Sequence, residues 1–130
     1  MASRSLDDLK PEFRARVNMW LDKCALAGLE PLIYCTYRSL EEQALEYAKG
    51  RTIKGKIVTN AKPGQSAHNY GLALDFVPMQ NGRPQWSNNA LYDAAINIAI
   101  SCGLESLRDS KFPERAHLQM PGWRGHVPVN

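Results

Sequence analysis

Long apolar runs are missing from this 130-residue sequence. No stretch approaches the ~20 apolar residues that a membrane-spanning helix needs, so membrane insertion is not expected. The opening MASRSLDDLK carries charges where a secretory leader would place its apolar segment, and the chain is expected to be made and folded in the cytoplasm. Runs of one charge are missing too. Sixteen basic residues stand scattered against 13 acidic ones. The resulting net charge of +3 suits anionic surroundings, but so diffuse a pattern gives no reason to expect nucleic-acid binding. Cysteine is scarce and odd in number. Cys24, Cys35 and Cys102 show no C-x-x-C spacing, which reads as reduced, buried thiols rather than a disulfide framework. Internal repeats and low-complexity segments are also lacking.

What remains is an ordinary globular composition, 44% hydrophobic and 22% charged. It suffices for one core but not for two, and a single domain over 1–130 is expected. Ser5 is placed to cap a first turn. Pro11 suits the opening position of a helix on which Phe13, Val17, Trp20, Leu21 and Cys24 recur at helical spacing, and Gly28 ends it. Pro31 to Tyr37 reads as a strand, and Ser39 with Glu42 forms a capping box for a second helix running to Lys49. From Arg51 to Gln65 the periodicity fades into a basic loop, with a short strand expected at Ile57 and Val58.

Leu72 to Met79 alternates. Leu72, Leu74 and Phe76 fall on one face, while Gly71, Ala73, Asp75 and Val77 fall on the other, where the two small residues are expected to leave open space. Asn81-Gly82 signals a type I′ turn, and Pro84 weakens the returning strand. Asn88 or Asn89 caps a third helix that buries Leu91, Ala95, Ile98 and Cys102 and ends at Gly103. A last short strand is expected at His117 to Met120. Three helices interleaved with short strands predict an α+β fold with a small, largely antiparallel sheet.

Chemistry concentrates in Ser66-Ala67-His68-Asn69-Tyr70-Gly71-Leu72-Ala73-Leu74-Asp75. An acid on an apolar strand is costly to bury unless it is paired or bound to a cation. His68, just before the strand, can fold back towards it. Glu114 and His117 form a second candidate pair. Two histidines and a carboxylate meet the ligand count of a catalytic zinc site, with a second carboxylate left as base. The residues alone leave other readings open: His68 as a loop histidine, Asp75 bonded to backbone or an arginine, Glu114 as a surface acid and His117 as a strand-end histidine.

The segment SAHNYGLALD nevertheless matches S-x-H-x-x-G-x-A-x-D at all five fixed positions, and so resembles the M15-type metallopeptidases. That group comprises D-Ala-D-Ala carboxypeptidases and dipeptidases together with phage L-alanyl-D-glutamate endopeptidases. Tyr37-Arg38-Ser39 followed by Gln43 resembles the family's Y-R-S-x-x-x-Q element, and Glu114 with His117 its acid-x-x-His element. The resemblance spans about residues 31 to 120. It implies a Hedgehog/DD-peptidase-like fold, a zinc ion held by His68, Asp75 and His117, and Glu114 as general base. Arg38 would steady the substrate carbonyl or a nearby carboxylate, with Ser66 and Gln43 supporting the site.

The last block departs from the family's frequent Asp-x-Pro-His, reading Glu-Arg-Ala-His instead, and Asp109 is a competing acid. His126 falls outside the motif and is expected in a surface tail. The small size and the segment GRTIKGKIVTNAKPGQSAHNYG resemble phage endolysins, which implies a monomer that cuts the L-Ala–D-Glu bond of bacterial peptidoglycan after release from the host cytoplasm. Arg51, Lys54, Lys56 and Lys62 of the basic loop are candidates for contact with the anionic wall. The alternatives are D-Ala-D-Ala carboxypeptidase or dipeptidase action, a catalytically silent, zinc-stabilised wall-binding domain and, third, a nucleic-acid-associated protein using the basic loop.

Overall fold

The structure is a computed structural model that describes residues 2–127. Its first long helix, α1 (Pro11–Leu26), starts with proline at the position where a missing N–H is harmless, and buries Phe13, Val17, Trp20 and Cys24. Ser5 caps a preceding 3₁₀ turn by accepting from the Asp7 N–H. Strand β1 (Glu30–Cys35) follows, then α2 (Leu40–Ala48), opened by the Ser39–Glu42 capping box. A long loop leads to a 3₁₀ turn at Ala67–Tyr70 and into β2 (Ala73–Gln80). The remaining elements are β3 (Arg83–Pro84), α3 (Asn89–Ser101), β4 (Glu105–Leu107) and β5 (Glu114–Gln119).

All strand pairs are antiparallel, in the order β1-β2-β5-β4, with β3 paired to the far end of β2. The α+β architecture is therefore the one the sequence predicts, three helices with a small antiparallel sheet. Asn81 (φ 53°) and Gly82 (φ 74°) make the expected two-residue turn, and β3 stops at Pro84. One face of the sheet is closed by α1 and α3. The Trp20 indole N–H donates to the Ala95 carbonyl at 2.9 Å, and Phe76 packs edge-on against Trp20 and Tyr92. Burying a side chain of that kind contributes about 1.5–3 kcal/mol.

Four expectations need correction. Helix α3 buries Tyr92, Ala95, Ile96 and Ala99, leaving Leu91 and Ile98 half-buried on its flank. Its sequence is apolar nearly all round, so spacing alone does not fix which stripe points inward. No strand forms at Ile57 and Val58. The Ile57 backbone instead lies so close to Gly50 that a Cβ there would sit 2.6 Å from the Ile57 nitrogen. Gly71 leaves no open space over the sheet. It adopts φ +69° at the end of the 3₁₀ turn, and a side chain would meet the Asp8 carbonyl at 2.7 Å. Finally, β5 begins at Glu114, and β4, too short to show a pattern, pairs with it. The three cysteines are free and buried, as expected.

Candidate active site

Asp75 lies near the start of β2, with Cys35 opposite it on β1 and His117 opposite it on β5. The first register depends on an irregularity at Tyr34, an extra residue between the Ile33–Phe76 and Cys35–Asp75 pairs. His68 comes from the 3₁₀ turn, which is built to present it. The Ser66 hydroxyl accepts from the His68 N–H, and Asn69 Oδ1 accepts from the backbone of Ser66 and Gly64. The turn is also tied to the exit of β1: Arg38 N–H donates to the His68 carbonyl, and Asn69 Nδ2 donates to the Arg38 carbonyl. Gly71 then reverses the chain in a conformation few other residues adopt, returning it to Asp75.

Three side chains converge. His68 Nε2 lies 3.3 Å and His117 Nδ1 3.4 Å from the same oxygen, Asp75 Oδ1, and the two rings meet edge-on with centroids 5.1 Å apart. Both histidines are buried. Each is held by its other nitrogen. His68 Nδ1 donates to the Thr36 carbonyl at 2.8 Å. Gln119 donates its amide N–H to Glu105, which turns its Oε1 towards His117 Nε2 at 2.8 Å and makes that nitrogen the donor. The other nitrogens are thus fixed as donors, and His68 Nε2 and His117 Nδ1 are the atoms left to face Asp75 and, once free of a proton, to bind a metal ion. That is the tautomeric arrangement a zinc site requires, and the donor set fits the ion.

Electrostatics agree with that fit. Burial disfavours a charged His68, but the Asp75 carboxylate outweighs it and raises the imidazole to about 10. Burial likewise opposes ionised Asp75, yet His68 and His117 hold its carboxyl well below the usual range. The pocket therefore holds positive charge beside Asp75, and a dication would displace a proton on binding. Cys35 Sγ also belongs to the cluster, within 4.8 Å of donor atoms of His68 and Asp75. It approaches His68 from the Nδ1 side, at 3.7 Å, away from the nitrogen that faces Asp75.

The cleft above these residues has a volume of about 320 Å³ and is lined by Arg38, Ser66, His68, Asp75, Glu114 and His117. Gln43 lies fully buried behind Arg38. It accepts from the guanidinium at 3.0 Å and donates to the Ala61 carbonyl at 2.7 Å. Arg38 also approaches Asp75 Oδ2, at 3.9 Å. Glu114 is exposed on the cleft wall. Three residues from His117, it would face away in a regular strand; the irregular β4–β5 register, where Leu107 meets Glu114, accommodates the offset. Asp109 instead pairs with Arg108 and is 84% exposed, outside the cleft. His126 is exposed at the end of a 3₁₀ turn, also outside it.

Sequence reasoning missed Thr36, Asn69, Gln119 and Glu105. Asn69 had a legible signal, since it closes a capping box with Ser66. Gln119 was recognisable only as sharing a strand face with His117, and a backbone carbonyl such as that of Thr36 has no signature.

Residues 7–106 match the VanY family, described as D-alanyl-D-alanine carboxypeptidase. The chain belongs to that family. Its members are M15-type zinc metallopeptidases, and the match ends before β5, so Glu114 and His117 are brought to the site by the fold rather than by the matched span. The chain is 34% identical over 129 residues to the peptidoglycan L-alanyl-D-glutamate endopeptidase CwlK of Bacillus subtilis (strain 168), covering 87% of this chain and 74% of the relative. Two solved structures share the fold with a TM-score of 0.68 each. The Serratia marcescens L-Ala D-Glu endopeptidase ChiX is 17% identical, with 92% of this chain and 88% of that one covered. The LdcB LD-carboxypeptidase is 23% identical, with 86% of this chain covered; the match spans 58% of LdcB, less than two thirds.

Proposed function

We propose that this protein is a zinc-dependent peptidoglycan endopeptidase that hydrolyses the L-alanyl-D-glutamate bond of the stem peptide. The observation that carries this reading is the shape of the site. The polar cleft runs on into an open groove of about 1000 Å³, the two sharing walls at Val58, Gln65, Leu107, Glu114 and Trp123. A peptide continuing on both sides of the cut fits such a channel, whereas release of a terminal residue calls for a closed end. The 34% identity to CwlK supports the same bond.

In this reading His68, Asp75 and His117 would hold the zinc ion. Bound zinc supplies a Lewis acid for the scissile carbonyl and acidifies an attacking water. Glu114 takes the proton from that water as its oxygen bonds to the carbonyl carbon, then passes it to the amine as the C–N bond breaks. Arg38, fixed by Gln43, offers N–H groups to the carbonyl oxygen as negative charge develops. Ser66 acts through the turn that carries His68. The setting we propose, release of a phage-infected host's wall from within, rests on the likeness of the loop to phage enzymes.

The test is mass spectrometry of digested sacculi. New amino termini on D-glutamate are expected; release of terminal D-alanine alone would replace this reading with the carboxypeptidase one that the family description favours. Glu114→Gln should keep zinc and fold while slowing hydrolysis by about 10²–10⁴-fold. Wild-type rates in that variant would remove Glu114 from the mechanism, and a wild-type protein that binds sacculi without cutting them would be the silent wall-binding domain.

A further inference from the structure

We propose that Arg124 is the residue that recognises a free carboxylate on the substrate, on the residue directly beyond the bond that is cut. The inference rests on the peptidase reading above and adds a specificity determinant to it. Two arginines line the cleft among the described residues, Arg38 and Arg124. Arg38 is committed: its guanidinium bonds Gln43 and lies against Cys35 and Asp75. Arg124 has no such commitments. Among the described residues its guanidinium has neither an acidic partner nor a hydrogen bond.

Arg124 is nevertheless held in place. It sits in the 3₁₀ turn Trp123–His126 with its guanidinium carbon 4.5 Å from the centroid of the Trp123 ring. Trp123 is buried and stacks on Tyr70, with ring centroids 5.7 Å apart and planes 26° apart, and the Tyr70 hydroxyl donates to the Gly64 carbonyl at 2.7 Å. Stacking occupies a face of the guanidinium and leaves its edge N–H groups free, and the edge is what grips a carboxylate through two parallel bonds. Arg124 lines both the polar cleft and the open groove, as Glu114 does, so it stands where they join.

The substrate chemistry matches that position. A glutamate joined through its amine and one carboxyl keeps its other carboxylate free, and a C-terminal D-alanine keeps its own. Either bond named above therefore has a carboxylate on its leaving side. The groove beyond Arg124 lets the chain continue when that residue is not the last.

The experiment compares wild type, Arg124→Gln and Arg124→Lys on two synthetic stem peptides, one with the D-glutamate carboxylate free and one with it amidated. On the free acid, Arg124→Gln should raise KM about 10- to 100-fold with kcat within a few-fold and zinc content unchanged, as for loss of one charge-assisted pair. On the amide, wild type should already bind more weakly by that factor, and Arg124→Gln should change little further. Arg124→Lys should recover part of the loss. Equal losses on both peptides, or no loss on either, would overturn the proposal. If wild type instead releases D-alanine from a pentapeptide, the endopeptidase reading fails while Arg124 is judged on the pentapeptide against its C-terminal amide. If wild type cuts neither substrate, calorimetric affinities for the same acid and amide peptides decide between the same two outcomes.

Discussion

The two faces of β2 do opposite work. Towards α1 and α3, Leu74 and Phe76 are fully buried among Trp20, Tyr92 and Ala95, where shape and exclusion of water matter and the indole N–H is satisfied by the Ala95 carbonyl. Towards the cleft, Asp75 stands between two histidines, and the groups nearest it are each positioned by another: Thr36 for His68, Gln119 and Glu105 for His117, Gln43 for Arg38. Adjacent residues on one strand thus belong to a stability system and a chemical system that share a backbone and little else. The helix-backed face should hold the cleft in place whether or not the ion is bound.

Removing the ion is the strongest way to break that comparison. Chelation, or His117→Ala, should lower hydrolysis by more than ~10³-fold, at least about 4 kcal/mol in the barrier, while far-ultraviolet circular dichroism stays native. Unfolding on chelation would mean the two faces are not independent. Phe76→Ala is the converse. It should destabilise the fold by about 3–5 kcal/mol in urea titrations through the cavity it leaves, yet bind zinc stoichiometrically wherever the variant remains folded. Gln119→Leu sharpens the account of the polar face by removing the acceptor for His117 Nε2, and zinc affinity should fall about 10- to 100-fold in a competitive chelator titration. An unchanged affinity would show that Gln119 does not set the tautomer.

The smallest effect concerns Asp93, remote from the cleft lining. Partial burial opposes its charge, but Arg115 at 3.0 Å and Arg108 at 3.4 Å hold its carboxyl below the usual range. A lowered native value stabilises the fold above the ordinary carboxylate range, and that contribution is lost as the pH falls through it. The group is 37% exposed, so the amount should be under about 1 kcal/mol. Asp93→Asn should flatten the acid limb of a stability–pH curve by that much and leave zinc binding unchanged.

How legible was this in the sequence? The dry face was largely readable because α1 is amphipathic and β2 is bounded by clear turn signals. On helix α3 the spacing is ambiguous because apolar residues surround it, and contacts across the layers, Phe76 with Tyr92 and Trp20 with Ala95, decide which stripe is inside. On the wet face, His68 and Asp75 sit in one short motif and could be paired before folding. Placing Glu114 and His117 around one cleft depends on a register irregularity between β4 and β5, and such irregularities leave no mark in composition or spacing. The groove was not foreseen, since its walls come from loops brought together only by the tertiary structure.

Those walls differ in kind from the residues that face Asp75. The donors come from paired strands and one tightly bonded turn, whereas one side of the groove comes from the segment between α2 and that turn. Arg51 braces this segment at its base, stacking on Tyr47 and bonding the carbonyls of Tyr47 and Thr59. Lys54 and Lys56 project from it into solvent. Only the exposed tip around Lys54 and Lys56 is free to vary, since the Ala61 carbonyl further along accepts from the Gln43 that holds Arg38. Charge at that tip can therefore change from one surrounding to another while the side chains around Asp75 keep their places.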